Sequence, residues 1–185
     1  MRSDVHNINS AKFGDMDSPV LRDYRREVLR QSDDSDTAIT LTVAQSGALL
    51  LLDENEAYTI TLPEITAGDI GVSYTIMETV VSDLLRKVVT PYDNDYFVGG
   101  VVNAFDAAGD TDVMIGFVSA GATDTTIVVS DGNLANAGGG LGGTVTLTAV
   151  LTGNIADGGG AKLVWAVTGK KVAQAITDTG AAYFA

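Results

Sequence analysis

Carboxylates are the one plentiful reactive group in this 185-residue chain: it has 24 Asp and Glu, one His and no Cys. Three groups of acids lie close in sequence: Asp53, Glu54 and Glu56; Asp93 and Asp95; Asp106, Asp110 and Asp112. Calcium takes several hard oxygen ligands, and the last group has a permissive spacing for it. It lacks the EF-hand pattern, with no Gly at the sixth position and no Glu at the twelfth. Paired carboxylates are also the machinery of glycoside hydrolysis. With so many acids, close pairs arise by chance, so solvated acidic loops are the default and no metal or cofactor is expected.

Other chemistries are poorly supplied. Without Cys there is no disulfide, thiolate metal site or thiol nucleophile. A single His excludes a multi-His zinc or copper centre. That residue, His6, sits in a polar N-terminal stretch with nothing to orient it as a base. No G-x-S-x-G elbow occurs. Gly153 to Gly159 mimics the start of a phosphate-binding loop, but Gly159 stands where Lys is required and no Ser or Thr follows. Trp165, the only tryptophan, lies in the apolar run AKLVWAVTG and reads as core or interface. The sequence therefore predicts no enzyme.

The charge is divided unevenly. The chain carries 11 basic residues and a formal charge of -13. Residues 1–36 hold 6 basic and 8 acidic residues, a net of -2, which leaves -11 for residues 37–185. One of the 21 glycines lies in the first segment. We read an N-terminal arm, 1–36, and a body, 37–185. An acidic body repels nucleic acid and anionic lipid, so neither is an expected partner. No apolar run approaches the roughly 20 residues of a membrane span, and the start has no secretory pattern, so synthesis in a cytoplasm is expected.

In the arm, Ser18 can cap and Pro19 can open a helix running to Gln31. Val20, Leu21, Tyr24 and Val28 then form one apolar stripe, with Arg22, Arg25, Arg26 and Arg30 around it. Such a short helix needs a surface to pack on, either its own body or a partner. These eight residues are the candidate partner-binding set.

The body reads as about eleven strands. Expected strands are 38–43, 48–52, 58–62, 72–77, 87–90, 96–102, 113–118, 125–129, 144–151, 163–167 and 172–176. Tyr58 to Leu62 and Thr144 to Leu151 alternate apolar and polar residues, as half-buried strands do. A short helical turn over 77–87 is an alternative. Two glycine-rich loops, 131–143 and 154–160, are too long for minimal hairpins. The fold class this implies is all-β: a β-sandwich or barrel, jelly-roll-like, behind an extended arm.

Residues 38–63 (AITLTVAQSGALLLLDENEAYTITLP) resemble a strand pattern of tailed-phage virion proteins, with I-T-L-T leading to Y-T-I-T-L-P. AGDIGVSYTIME (67–78) continues the pattern, and GGAKLVWAVTG (159–169) resembles its closing hairpin. Capsid decoration (cement) proteins, head fibres and some tail-fibre modules look like this. The resemblance implies a structural role: binding the outer capsid surface, bridging neighbouring capsomers and stabilising the shell, often as a homotrimer. Its partner would be the major capsid protein and its place the virion exterior. The arm would anchor the body, and the tail AAYFA (181–185) could add a strand to a neighbour's sheet edge or pack between subunits. A receptor- or carbohydrate-binding fibre module is the alternative.

Overall fold

The structure, a computed structural model, describes residues 26–33, 37–92, 96–105, 113–118, 124–131, 140–152 and 162–173. These residues form an all-β fold of eleven strands in two mixed sheets. The strands are β1 (Val28–Arg30), β2 (Ala38–Thr40), β3 (Leu49–Leu52), β4 (Tyr58–Thr61), β5 (Ser73–Glu78) and β6 (Leu85–Val89). They continue with β7 (Phe97–Phe105), β8 (Val113–Val118), β9 (Thr126–Asp131), β10 (Thr144–Leu151) and β11 (Leu163–Ala173). The larger sheet runs β1-β3-β5-β10-β11-β7-β8, and the smaller runs β2-β4-β6-β9.

The first six strands alternate between the sheets, and from β3 on each pairs in parallel with the strand two before it. The chain thus winds as a coil with two strands per turn. Two turns share one connector. At Thr42–Gly47 (TVAQSG) and Thr66–Gly71 (TAGDIG), a Thr precedes a single 3-10 turn, over 43–45 and 67–69. The Gln45 and Asp69 side chains accept the backbone N–H of Thr42 and Thr66 at 2.9 and 2.8 Å, and their hydroxyls at 3.0 and 2.6 Å. Gly47 and Gly71 follow with φ of 87° and 94°, a left-handed bend that glycine adopts freely, and the next strand begins two residues on.

The sheets share one core. Leu50, Ile76, Leu147 and Trp165 from the larger sheet join Ile60, Val88 and Ile127 from the smaller one in a single buried cluster. The period-two pattern places them there. In β10, Val145, Leu147 and Ala149 are buried, while the threonines between them are half-buried. Even the all-leucine β3 alternates, with Leu50 and Leu52 buried. Burying one such side chain stabilises by about 1.5–3 kcal/mol, and the summed effect holds the two layers together.

Four expectations are corrected. The helix expected to end at Gln31 is not helical where it is described: Val28–Arg30 is a strand in parallel register with Leu49–Leu51. Weak helix propensity yields there to a neighbour that offers ladder bonds and to burial of Leu29 against the core. The segment called an arm therefore contributes a strand to the body. No helical turn occupies 77–87; β5 ends at Glu78 and β6 begins at Leu85. The strands expected at 163–167 and from 172 are one strand, β11, paired with β10 as far as Lys170 and with β7 as far as Ala173. Finally, five of the nine strand pairings among the described residues are parallel, whereas a jelly roll is antiparallel throughout.

Candidate interaction surface and the buried polar cluster

Among the described residues, a concentration of charged and polar groups lies inside the molecule. Glu78 at the end of β5 and Arg86 in β6 are 1 % and 0 % exposed, with Oε1 and Nη1 3.8 Å apart. The rest of the guanidinium is used on backbone: Nε donates to the Glu56 carbonyl at 3.3 Å and Nη2 to the Glu54 carbonyl. Burial pushes the Arg86 pKa down from its ordinary value, while the charges of Glu78 and Asp53 oppose that effect. Ser82 and Ser130 extend the cluster. Ser130 Oγ donates to the Ser82 carbonyl at 3.3 Å, and Ser82 Oγ accepts the Leu84 N–H at 3.2 Å. Lys171 of β11, also buried, donates to the Val128 carbonyl of β9. Gly143 leaves room for the Glu78 carboxylate: a Cβ there would stand 2.3 Å from Oε2.

This arrangement resembles an acid–base site in composition but not in access. Groups 0–1 % exposed cannot meet a substrate. Their bonds instead fix irregular segments: Arg86 holds the turn between β3 and β4, and the serines hold the connection from β5 to β6. Sequence reading missed the cluster because Glu78, Arg86 and Lys171 look like surface charges. The available signal was parity: Glu78 continues the buried Tyr74, Ile76 series, and Arg86 precedes the buried Val88 by two.

The candidate partner-binding residues fall into two groups. Val20, Leu21, Arg22, Tyr24 and Arg25 lie outside the described residues. Arg26, Val28 and Arg30 lie at the edge of the larger sheet. Arg26 Nε donates to the Gly47 carbonyl at 2.6 Å and Nη2 to the Ala48 carbonyl at 3.1 Å. Arg30 pairs with Asp53 at 3.4 Å. Both arginines thus spend contacts on the chain's own body, while Val28 is 50 % exposed.

The acidic groups separate likewise. Asp53 accepts from the Ser32 backbone N–H at 2.9 Å and its hydroxyl at 2.8 Å, so it is an internal acceptor. The Glu54 and Glu56 side chains point to solvent. Asp93, Asp95, Asp106, Asp110 and Asp112 lie outside the described residues, as do His6, residues 153–159 and the 181–185 tail. Among the described residues no group of three or more His, Asp or Glu is placed to hold a metal ion. Trp165 is fully buried with its ring centroid 5.8 Å from that of Tyr74, which makes it core and not a ligand platform. No described helix is long and apolar enough to cross a membrane.

No protein-family model matches the chain. Nor does any curated protein match it significantly.

Proposed function

We propose that this chain is a structural component of a tailed-phage particle, a decoration protein that binds the outer capsid surface and bridges or stabilises neighbouring capsomers. One observation carries the reading. The residues that resemble virion proteins, 38–63 and 67–78, form one continuous unit, the β2–β5 coils with their paired capped connectors. The I-T-L-T, Y-T-I-T and Y-T-I stretches of the pattern fall at β2, β4 and β5.

In this reading the two-sheet body is a sandwich, and the N-terminal segment, with Val20, Leu21, Arg22, Tyr24 and Arg25, contacts the major capsid protein. Homotrimers are the favoured form, because closed symmetry suits lattice sites. The protein is made in the host cytoplasm and resides on the virion exterior.

Co-sedimentation with undecorated capsids tests this. The full-length protein is expected to pellet with capsids. A variant carrying Leu21→Asp, Arg22→Glu and Arg25→Glu is expected to remain soluble with an unchanged circular dichroism spectrum. Full decoration by that variant would overturn the anchoring role. Glycan binding without capsid binding would favour a receptor- or carbohydrate-binding fibre module instead.

A further inference from the structure

We propose that residues 26–33 form a detachable strap, which opens from the body as a unit while the two-sheet core stays folded, and which Arg26 and Asp53 latch at its two ends.

The strap is weakly held along its length. β1 has three residues and, among the described residues, is an edge strand of the larger sheet, paired on one side with β3. Its apolar anchorage is slight: Val28 is half exposed, and Leu29 is only partly buried against the core. Gln31 is 3 % exposed, and its Oε1 is buried without a hydrogen-bond partner, which costs stability. By contrast, β3 buries Leu50 and Leu52 to 1 % and 0 %.

The side-chain contacts are concentrated at the ends. At the first, Arg26 bridges the Gly47 and Ala48 carbonyls, and the Leu49 N–H donates to the Glu27 carbonyl at 2.8 Å. At the second, Asp53 receives two hydrogen bonds from Ser32 and the ion pair from Arg30. The latches grip the residues just before and just after β3, so the body side of each is fixed by a buried strand. The strap side is otherwise held by the three-residue β1 ladder and by Leu29 and Gln31. Segments with few buried contacts open below the global unfolding free energy.

Opening would free eight residues, adding about 26–29 Å of reach to the N-terminal segment at full extension. That use rests on the proposed attachment role; the opening itself does not.

Hydrogen exchange read by mass spectrometry on the full-length protein tests the strap without capsids. Amides of 28–32, Ser32 among them, are expected to exchange at least about tenfold faster than those of β5 and β10, with rates insensitive to low denaturant, the mark of local opening. Asp53→Ala should speed 28–32 by a further factor of at least about ten, for the loss of both Ser32 hydrogen bonds and the Arg30 ion pair, with β10 unchanged. Ser32→Ala is the milder variant should Asp53→Ala fold poorly. Strap and core amides sharing one denaturant-sensitive opening, or a uniform increase across all strands in the variants, would overturn the proposal. Capsid binding is not read, so its failure leaves this result intact.

Discussion

Glu78 and Arg86 face one another across the core at 3.8 Å, from strands that belong to different sheets. Each lies at a position whose parity demands an inward side chain, so the fold places a charge of each sign in the apolar layer. Two charges removed from water stabilise little as a pair, because desolvation offsets their attraction. Arg86 has a further task, since it satisfies the Glu54 and Glu56 carbonyls of the turn joining β3 to β4. The cluster fixes which loop meets which strand end.

Removing one partner should therefore be costly. Arg86→Met leaves the Glu78 charge buried and two carbonyls without their donor, with an expected loss of about 3–5 kcal/mol. Glu78→Gln, which keeps the shape and can still accept a hydrogen bond, should cost less. Urea unfolding of both variants measures the difference. Equal, small losses would mean that the pair is solvated after all.

The connectors make a second prediction. Thr42→Ala and Thr66→Ala each remove a hydroxyl bonded to the Gln45 or Asp69 side chain, at an expected cost of about 1 kcal/mol apiece. The sites lie in successive coil turns joined by the Tyr74 bond to the Thr42 carbonyl, so the double variant tests coupling. A cost above the sum would show that the turns stabilise each other.

These connectors also show what the sequence made legible. The strands of the body were readable because β-branched and apolar residues alternate across them, and Tyr58 to Thr61 falls where the pattern puts it. The coil was not read, although T-x-x-Q/D-x-G occurs twice with a 24-residue offset, at Thr42 and Thr66. Parallel pairing is set by which strand lies beside which, and alternation carries no such information. Val28 to Arg30 failed for a related reason. Its spacing fits a helical stripe, but the partner that decides its state, β3, lies about twenty residues away. The buried cluster was hidden because charge alone reads as surface; only the position of Glu78 within its strand reveals it.

Gly99 supplies a third prediction. Its φ is 135°, and a Cβ there would lie 2.2 Å from the Val167 carbonyl oxygen of the neighbouring strand. The obstacle is backbone, so neither partner can rotate away. Gly99→Ala should cost about 3 kcal/mol, from conformational strain together with overpacking between β7 and β11. Thermal unfolding measures it; an unchanged midpoint would mean that the two strands separate readily.

Asp53 predicts an acid response. Burial pushes its carboxyl upward, but the Ser32 hydrogen bonds and the Arg30 charge outweigh this and leave it below the ordinary value. The groups facing it are Ser32, Arg30 and, more distantly, Arg86. A depressed carboxylate contributes stability that is complete above the unfolded value of about 4 and is lost as pH falls through the folded one. The protection of the Ser32 amide, its exchange rate relative to that of an unstructured amide at the same pH, should fall below about pH 4 in the wild type. Asp53→Asn should abolish that step; an identical acid profile in the variant would assign it to another carboxylate.

Tyr74 predicts the opposite limb. Its hydroxyl donates to the Thr42 carbonyl at 2.8 Å, and burial, aided by the Asp69 charge, pushes its pKa up to about 12. The unfolded chain loses this proton near pH 10. A raised pKa contributes stability that is present below pH 10 or so and disappears as pH climbs toward the folded value. Ionisation would remove the donor that ties one coil turn to the next, and would place a charge beside Trp165, whose ring centroid is 5.8 Å away. Wild-type stability should therefore fall steeply between about pH 10 and 12. Tyr74→Phe should begin about 1 kcal/mol lower at neutral pH, for the lost hydrogen bond, and decline less over that window. Urea unfolding at a series of alkaline pH values separates the two. Parallel curves for wild type and variant would place the alkaline sensitivity elsewhere.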